Sequence, residues 1–315
     1  MSDSLLGLSA PDVAADPSFV ELLEVALDDD EEAPARRIRR PDPRPDDARD
    51  VAHLAAAFLA VEPLAVRRHR RLGLSAEVTA ATLADVGRKI DAYGASADLS
   101  WLVGLARADV IALGRLQFER WASPEGRALH IPEGGPLDPR AVDDSLRQAR
   151  ELFGDGPIVC HTWLFDPALR ALPAESNIVA FASRFEVLGS VDEHAAASSD
   201  TTAATATASS FSAAASSATS AATATAAAAS SATAVAAAAS SATAAAYAAA
   251  AGQDLAHPSD PVAADHAVAK FVFRRPLADV LDPARVQPRT AVERIVASRL
   301  RSGAHWSEPR GILIR

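Results

Sequence analysis

Two short runs of chemically useful residues lie in the middle of the chain, Gly134-Gly135 and Cys160-His161. The glycines stand just before a predicted helix that begins at Pro139. The free N–H groups and the dipole at a helix N-terminus attract phosphate groups. The sequence therefore indicates a nucleotide-like cofactor on the loop and chemistry at the following strand. A simple glycine turn is the alternative, because the full phosphate-loop and dinucleotide patterns are absent.

The candidate catalytic residues are Cys160, His161 and Glu133. Neighbouring residues of a strand point to opposite faces, so Cys160 and His161 are not expected to act as a nucleophile–base pair. A buried structural role is the simpler interpretation of Cys160. His161 and Glu133 are the better candidates for a general base, and we expect His130 to be a packed strand residue. The histidines and acidic residues show no metal-ligand spacing, so we expect no metal.

The helix after the glycines is well marked in the sequence. Asp138 is a typical N-cap, Pro139 occupies the first helical position and Gly154 ends the helix. Apolar residues recur between them at helical spacing, at Val142, Leu146, Ala149 and Phe153.

The first hundred residues predict helices. Ser75 caps one of them, with Thr82, Ile90 and Tyr93 on its apolar face, and Gly94 ends it. Four arginines surround His69 in the run 67–71. We interpret this run as a solvated helix end, and a phosphate-binding site is the alternative.

The second part of the chain predicts a sheet with flanking helices. We expect Trp163 and Phe185 in its core, and a capping box at Thr290-Glu293 before a further helix. His305 and Trp306 precede a short apolar tail. The strands are predicted at 109–121, 128–133, 158–165, 177–188 and 270–274.

Composition restricts the class of protein. The 315 residues carry a formal net charge of −10, and the first fifty contain fourteen acidic residues against six arginines. An acidic balance argues against a nucleic-acid partner, which requires a basic footprint. One cysteine, together with an N-terminus that lacks a basic signal region, predicts a cytoplasmic protein.

Residues 195–251 form a low-complexity tract of alanine, serine and threonine. The tract has too few bulky apolar side chains to form a core, so we expect it to be disordered. It also lacks the Leu, Ile, Val and Phe that drive membrane insertion, so we expect no membrane partner.

Several motifs together resemble the bacterial acyltransferase-domain-containing family, in which a helical N-acyltransferase N-terminal domain precedes a GNAT-like C-terminal domain. The resemblance covers about residues 50–193 and 266–313 and implies an α+β fold, with a helical domain followed by a GNAT-like mixed sheet that the low-complexity insertion interrupts. The predicted parts are an acidic helix and linker (1–48), the helical domain (49–100) and the GNAT-like domain (101–315). The motifs are Thr82-Leu-Ala-Asp-Val-Gly, Leu113-Gly-Arg-Leu-Gln-Phe-Glu, His130-Ile-Pro-Glu-Gly-Gly-Pro-Leu, Ser145-Leu-Arg-Gln-Ala-Arg, Cys160-His-Thr-Trp-Leu-Phe-Asp-Pro, Leu172-Pro-Ala-Glu-Ser-Asn-Ile-Val and Gly303-Ala-His-Trp.

The resemblance implies an acyl-CoA-dependent N-acyltransferase with an unknown amine acceptor and acetyl as the expected acyl group. Gly134, Gly135 and Leu137 would then bind the coenzyme. Pro136 departs from the usual loop because proline lacks an N–H donor. The acid tyrosine of such enzymes is also missing, since Tyr93 and Tyr247 are expected to lie elsewhere. A catalytically silent binding or scaffold protein of the same fold is the alternative.

Overall fold

The computed structural model describes residues 4–28, 48–132, 135–188 and 261–314. Glu133, Gly134 and the tract at 195–251 lie outside these described residues. The described helices and strands build a mixed α+β structure, which confirms the predicted fold class. The helices are α1 (Pro17–Asp28), α2 (Ala48–Arg71), α3 (Ala76–Tyr93), α4 (Leu99–Arg107), α5 (Pro139–Phe153), α6 (Asn177–Ala182), α7 (Pro261–Phe273), α8 (Leu277–Leu281) and α9 (Ala291–Arg301).

Six strands form one sheet in the order β1-β2-β3-β4-β6-β5. Only β3 and β4 pair in parallel, and α5 makes the crossover between them; the other neighbours are antiparallel. Alternation of side chains divides the sheet into two faces. The strands are β1 (Val110–Leu113), β2 (Leu116–Ser123), β3 (Gly126–His130), β4 (Ile158–His161), β5 (Phe185–Leu188) and β6 (Arg310–Leu313).

The first face carries the apolar core of the GNAT-like part. Phe118, Leu129 and Cys160 point to this face and pack with Val142 and Leu146 of α5. Helix α5 begins and ends where the sequence predicted, with Asp138 as N-cap and Gly154 as C-cap. The predicted capping box at Thr290 and Glu293 is also present, at the start of α9.

Helices α3 and α4 cover the second face. The Thr82 hydroxyl accepts a hydrogen bond from the N–H of Ala112 at 2.9 Å. The buried carboxylate of Asp85 accepts one from Nε2 of Gln117 at 2.7 Å. The helical domain is thereby tied to β1 and β2.

Two predicted strands are wrong in extent. The run 109–121 is a β1–β2 hairpin, because Gly114 adopts a φ of +63° and turns the chain between them. The run 158–165 ends as a strand at His161, because the Thr162 side chain accepts from the N–H of Leu164 and caps a 3₁₀ turn, Trp163–Phe165. Trp163 is buried as predicted, but it lies beyond the end of the strand.

Two other predicted strands are largely helical. Ser176 caps α6 at the start of the run 177–188, so only Phe185–Leu188 is a strand. Residues 270–273 end helix α7, and Val268 and Ala269 of that helix are fully buried in the core. Short apolar runs fit either structure, and here the tertiary packing selected the helix.

The apolar tail is an interior strand, which the sequence did not indicate. Strand β6 lies between β4 and β5, with Gly311 opposite Cys160 on one side and Val187 on the other. A Cβ at Gly311 would lie 2.6 Å from Cε2 of Phe165 and 3.0 Å from Cβ of Phe185. Glycine is therefore required here by close packing.

The arginine run lies at the end of α2 with Arg67, Arg70 and Arg71 exposed, as expected of a solvated helix end, and the structure corrects the expectation for Arg68 and His69. Arg68 is fully buried and donates from Nη1 to the carbonyl of Leu27 at 2.8 Å and from Nε to that of Arg107 at 3.1 Å. Arg107 is equally buried, bonds the carbonyl of Ala26 and pairs with Asp109 at 2.9 Å. The two guanidinium groups donate to backbone carbonyls at the ends of α1 and α4, where a helix leaves its last carbonyls without partners of its own.

Replacing Gly311 with alanine should lower the free energy of unfolding by about 1–3 kcal/mol, because the new methyl group overpacks the aromatic cluster. Gly156→Ala is the matched control, since nothing lies within 4 Å of a Cβ there. Denaturant titration measures both variants. Equal stability of the two would contradict the position of β6.

Stability should also depend on His69. Its Nε2 contacts the carbonyl of Leu105 at 3.0 Å, its Nδ1 has no partner, and burial lowers the pKa of the imidazole to about 4 from 6.5. As the pH falls, His69 is therefore protonated at a higher pH in the unfolded chain than in the folded chain. The free energy of unfolding is not reduced by this group above pH 6.5, and it falls by about 3 kcal/mol between pH 6.5 and 4.

The His69 contribution can be isolated by urea titration between pH 4 and 7.5 of the wild type and of His69→Gln, which keeps an N–H donor and does not titrate. The pH slope of the wild type should be steeper between pH 4 and 6.5. Parallel curves would show that His69 does not cause the dependence.

Candidate functional site

Strands β3 and β4 part at one end of their parallel pairing. Their last paired residues are Leu129 and Cys160. Beyond them His130 pairs with Gln117 of β2, whereas His161 pairs with Arg310 of β6. A cavity of about 260 Å³, which we call the β3–β4 cavity, opens at this point on the second face. Its lining consists of Lys89, Tyr93, Trp101, Gln117, His130, Ile131, Pro132, His161, Thr162, Trp163, Leu164, Ala267, Phe271 and Glu308.

The β3 wall of the cavity carries a histidine–carboxylate contact. Nε2 of His130 lies 3.0 Å from Oε1 of the buried Glu119 on β2. The His130 ring also packs edge-on against Trp101 of α4, with 4.7 Å between the ring centroids. Lys89 and Tyr93 reach the same wall from the last turns of α3.

The β4 wall carries His161 and Glu308. The N–H of Thr162 donates to the carbonyl of Pro309 at 3.3 Å, which fixes the segment that contains Glu308 beside the end of β4. Helix α7 covers the opening, and the ring of Phe271 contacts Trp163 with 5.6 Å between centroids. A histidine from each strand and one carboxylate therefore meet in an aromatic cavity.

Cys160 lies on the opposite face from this cavity. Its side chain is 1% exposed and belongs to the apolar core. Burial, with the negative charge of Glu308 as a smaller contribution, raises the pKa of the thiol far above its usual range. A thiol that stays protonated and enclosed is not a nucleophile, so we assign it no part in the chemistry.

The glycine loop is held by one side chain. Arg115, in the β1–β2 turn, donates to the carbonyls of Pro132, Gly135 and Pro136 at 3.1, 3.1 and 3.0 Å. Its partial burial lowers the pKa of the guanidinium. Gly135 has a φ of +69° with nothing within 4 Å of a Cβ, so the loop is turned by glycine and open on that side.

The N-terminus of α5 is already satisfied within the chain. Arg140 and Ala141 donate their N–H groups to the Asp138 carboxylate at 3.1 and 3.0 Å, and Val142 donates to the Asp138 carbonyl. Pro139 has no N–H to offer. An anion bound here would have to use the loop rather than the helix end.

Two further cavities lie beside the glycine loop. The larger, about 440 Å³, is lined by Arg115, Gly135 and Leu137, by the polar residues 175–177, and by apolar residues of α6, α7 and α9. The smaller, about 290 Å³, also reaches Gly135 and extends to Trp163. Phe271 lines both of these and the β3–β4 cavity. The cavities beside the loop therefore share walls with the β3–β4 cavity, at Phe271, Trp163 and Leu164.

Comparison with protein families identifies both parts of the chain. Residues 3–97 match the N-acyltransferase N-terminal domain, and residues 110–228 match the GNAT-like C-terminal domain. The chain therefore carries both domains, one after the other. This confirms the resemblance that the sequence motifs carried, while the boundary at residue 100 stays a prediction.

Solved structures show the same fold. A variant acyltransferase in complex with octanoyl-CoA matches with a TM-score of 0.59 and 23% identity, over 94% of this chain and 75% of that one. An acyltransferase in complex with decanoyl-CoA and teicoplanin matches with a TM-score of 0.58 and 22% identity, over 96% and 80%. An acyltransferase in complex with decanoyl-CoA matches with a TM-score of 0.59 and 24% identity, over 95% and 78%.

The sequence search among curated proteins finds no match. Within the described ranges no helix combines the length and apolarity that a membrane span requires. The same ranges contain no group of three or more histidine, cysteine or acidic residues placed to hold a metal ion.

The N-acyltransferase N-terminal domain supplies residues that sequence reasoning missed. Tyr93 was expected to lie away from the chemistry because it belongs to the helical domain, but α3 packs on the sheet and brings it to the cavity. The face of α3 that meets the sheet carries Thr82 and Asp85, whereas Ile90, which the sequence grouped with Tyr93, packs in the core of the helical domain. Trp101 and Glu308 had no local signal.

Proposed function

We propose that the protein is an acyl-CoA-dependent N-acyltransferase. The observation that carries the proposal is the gap between the parallel strands β3 and β4 of a GNAT-like domain. On one side of the gap apolar cavities reach the glycine loop, and on the other side lies the β3–β4 cavity with His130 and His161. The solved structures of the same fold that hold octanoyl-CoA and decanoyl-CoA support acyl-CoA as co-substrate.

In this proposal the coenzyme lies on the side of the glycine loop. Gly135 would bring its backbone to the pyrophosphate, and Arg115 would keep the loop in shape through its three carbonyl contacts. Leu137, 8% exposed, lines the adjoining apolar cavity and would contact the pantetheine arm. Glu133 and Gly134 retain their proposed roles beside it, as a second candidate base and a loop residue.

The amine acceptor occupies the β3–β4 cavity. His161 takes the proton from the ammonium group, and the amine nitrogen then attacks the thioester carbonyl carbon. The C–N bond forms, the C–S bond breaks, and the nitrogen gives up a second proton, which balances the proton that the leaving thiolate takes up. Tyr93 lines the same cavity and is a proton donor that the chain offers for this step.

Replacing Gly135 with valine should abolish the binding of acyl-CoA, because a branched side chain at a positive φ strains the loop and occupies the space of the pyrophosphate. Gly154→Val is the matched control. It also has a positive φ and nothing within 4 Å of a Cβ, but it lies at the other end of α5. Isothermal titration with acetyl-, octanoyl- and decanoyl-CoA measures binding.

The outcomes of this titration separate the function from its placement. A wild type that gives no heat with any of the three would exclude the transferase and leave the catalytically silent binding protein as the alternative. A Gly135→Val variant that binds as well as Gly154→Val would exclude only the loop as the coenzyme site.

Replacing His161 with asparagine should lower kcat by about 10²-fold or more, because it removes the group that accepts the proton. Cys160→Ala is the control, since that residue is the neighbour on the opposite face. Turnover is followed by the release of CoA thiol with each variant shown to be folded by circular dichroism. If His161→Asn has the kcat of the wild type, His161 is not the general base, and His130 and Glu133 become the candidates.

A further inference from the structure

We infer that the acceptor is a small aromatic amine that also carries a carboxylate, of the kind found in aromatic amino acids. This inference rests on the proposed function and concerns the β3–β4 cavity. It comes from the distribution of charge and aromatic surface around that cavity.

Two lysines lie where α3 and α7 meet: Lys89 lines the cavity, and Lys270 lies against the ring of Tyr93, which lines it. Nζ of Lys270 lies 4.2 Å from the centroid of the Tyr93 ring, and Nζ of Lys89 lies 5.4 Å from the same centroid. Lys89 is also 5.9 Å from the Trp101 ring. Both lysines are half-buried, where a charge is screened less than at an open surface. The two lysines suit an anionic group of the ligand.

The β4 wall carries a carboxylate that lines the cavity, whereas the carboxylate on the β3 side, Glu119, is buried behind His130 and paired with it. Glu308 is the one carboxylate among the described residues that line the cavity, and it is held beside β4 by the contact between Thr162 and Pro309. It shares that wall with His161, the proposed base. An ammonium group drawn towards Glu308 would therefore be placed next to the residue that deprotonates it.

Aromatic rings line both sides of the cavity. Trp101 and Tyr93 line the β3 side, while Trp163 and Phe271 line the β4 side and the cover. Their faces and edges fit a flat apolar body. The volume, about 260 Å³, lies just under the range of about 300–1,000 Å³ common for small-molecule sites. The enclosed volume is of the size of a single aromatic amino acid.

The experiment compares amines that differ only in the carboxylate. L-Tryptophan is paired with tryptamine and L-tyrosine with tyramine, each with the acyl-CoA that binds most tightly, and kcat/KM is measured from the release of CoA thiol. We expect the amino acids to be preferred by about tenfold, which corresponds to about 1.4 kcal/mol.

Lys270→Gln tests the source of the preference and should reduce the ratio of the two kcat/KM values at least fivefold, since it removes the charge and keeps a polar side chain only one atom shorter. Comparing ratios cancels the intrinsic reactivity of the two amines. Arg275→Gln is the matched control, because it removes one exposed positive charge just beyond the end of α7. It should leave the ratio unchanged.

The possible results distinguish this inference from the proposed function. If both members of a pair are acylated and Lys270→Gln does not alter the ratio of their kcat/KM values, the inference is wrong and the proposed transferase function is retained. Binding of acyl-CoA without turnover of any of the four amines also overturns the acceptor class. Absence of acyl-CoA binding removes the proposed function and the inference together.

Discussion

The architecture of the site depends on one buried polar contact between the two domains, the hydrogen bond from Gln117 to Asp85. Asp85 is fully buried on α3, and its carboxylate is satisfied by Gln117 of β2 and by Nε of Arg88 at 3.0 Å. A buried carboxylate without such partners would be costly, so α3 is favoured where Gln117, the donor on the sheet, meets Asp85. That position sets the direction in which the last turns of α3 leave the sheet, and it places Lys89 and Tyr93 over the cavity.

The sheet imposes the second constraint. The mutual pairing of β3 and β4 ends at Leu129 and Cys160, while each strand keeps its outer antiparallel partner for one residue more, β2 at His130 and β6 at His161. The strands part at this point. One face offers apolar cavities and a glycine loop, and the other offers two histidines within aromatic walls. The proposed reaction needs both environments to meet at one point.

In the loop beside the gap between β3 and β4, the N–H groups at the start of α5 are already bonded to Asp138, whereas a simple helix-end anion site leaves such groups free for the anion. Asp138 takes the N–H groups of the first turn of α5, and Arg115 takes three carbonyls of the loop. The shape of the loop is therefore maintained by groups of the chain itself. Buried arginines also terminate α1 and α4, where Arg68 and Arg107 bond the final carbonyls. The two domains share this use of guanidinium groups to satisfy backbone that would otherwise be buried without partners.

The sequence by itself determined the elements whose signals are local. The caps at Ser75, Asp138 and Thr290, the ends at Gly94 and Gly154, and the opposite orientation of Cys160 and His161 all follow from spacing along one segment. The motifs likewise indicated both domains. Only the tertiary structure decided which short apolar runs became helix or strand, because Lys270–Phe273 and Arg310–Leu313 have similar composition and differ in what they pack against. It also decided that Tyr93, Trp101 and Glu308, far apart in sequence, line the same cavity as the histidines. Contacts across such separations depend on how the two domains dock, and no local pattern encodes that.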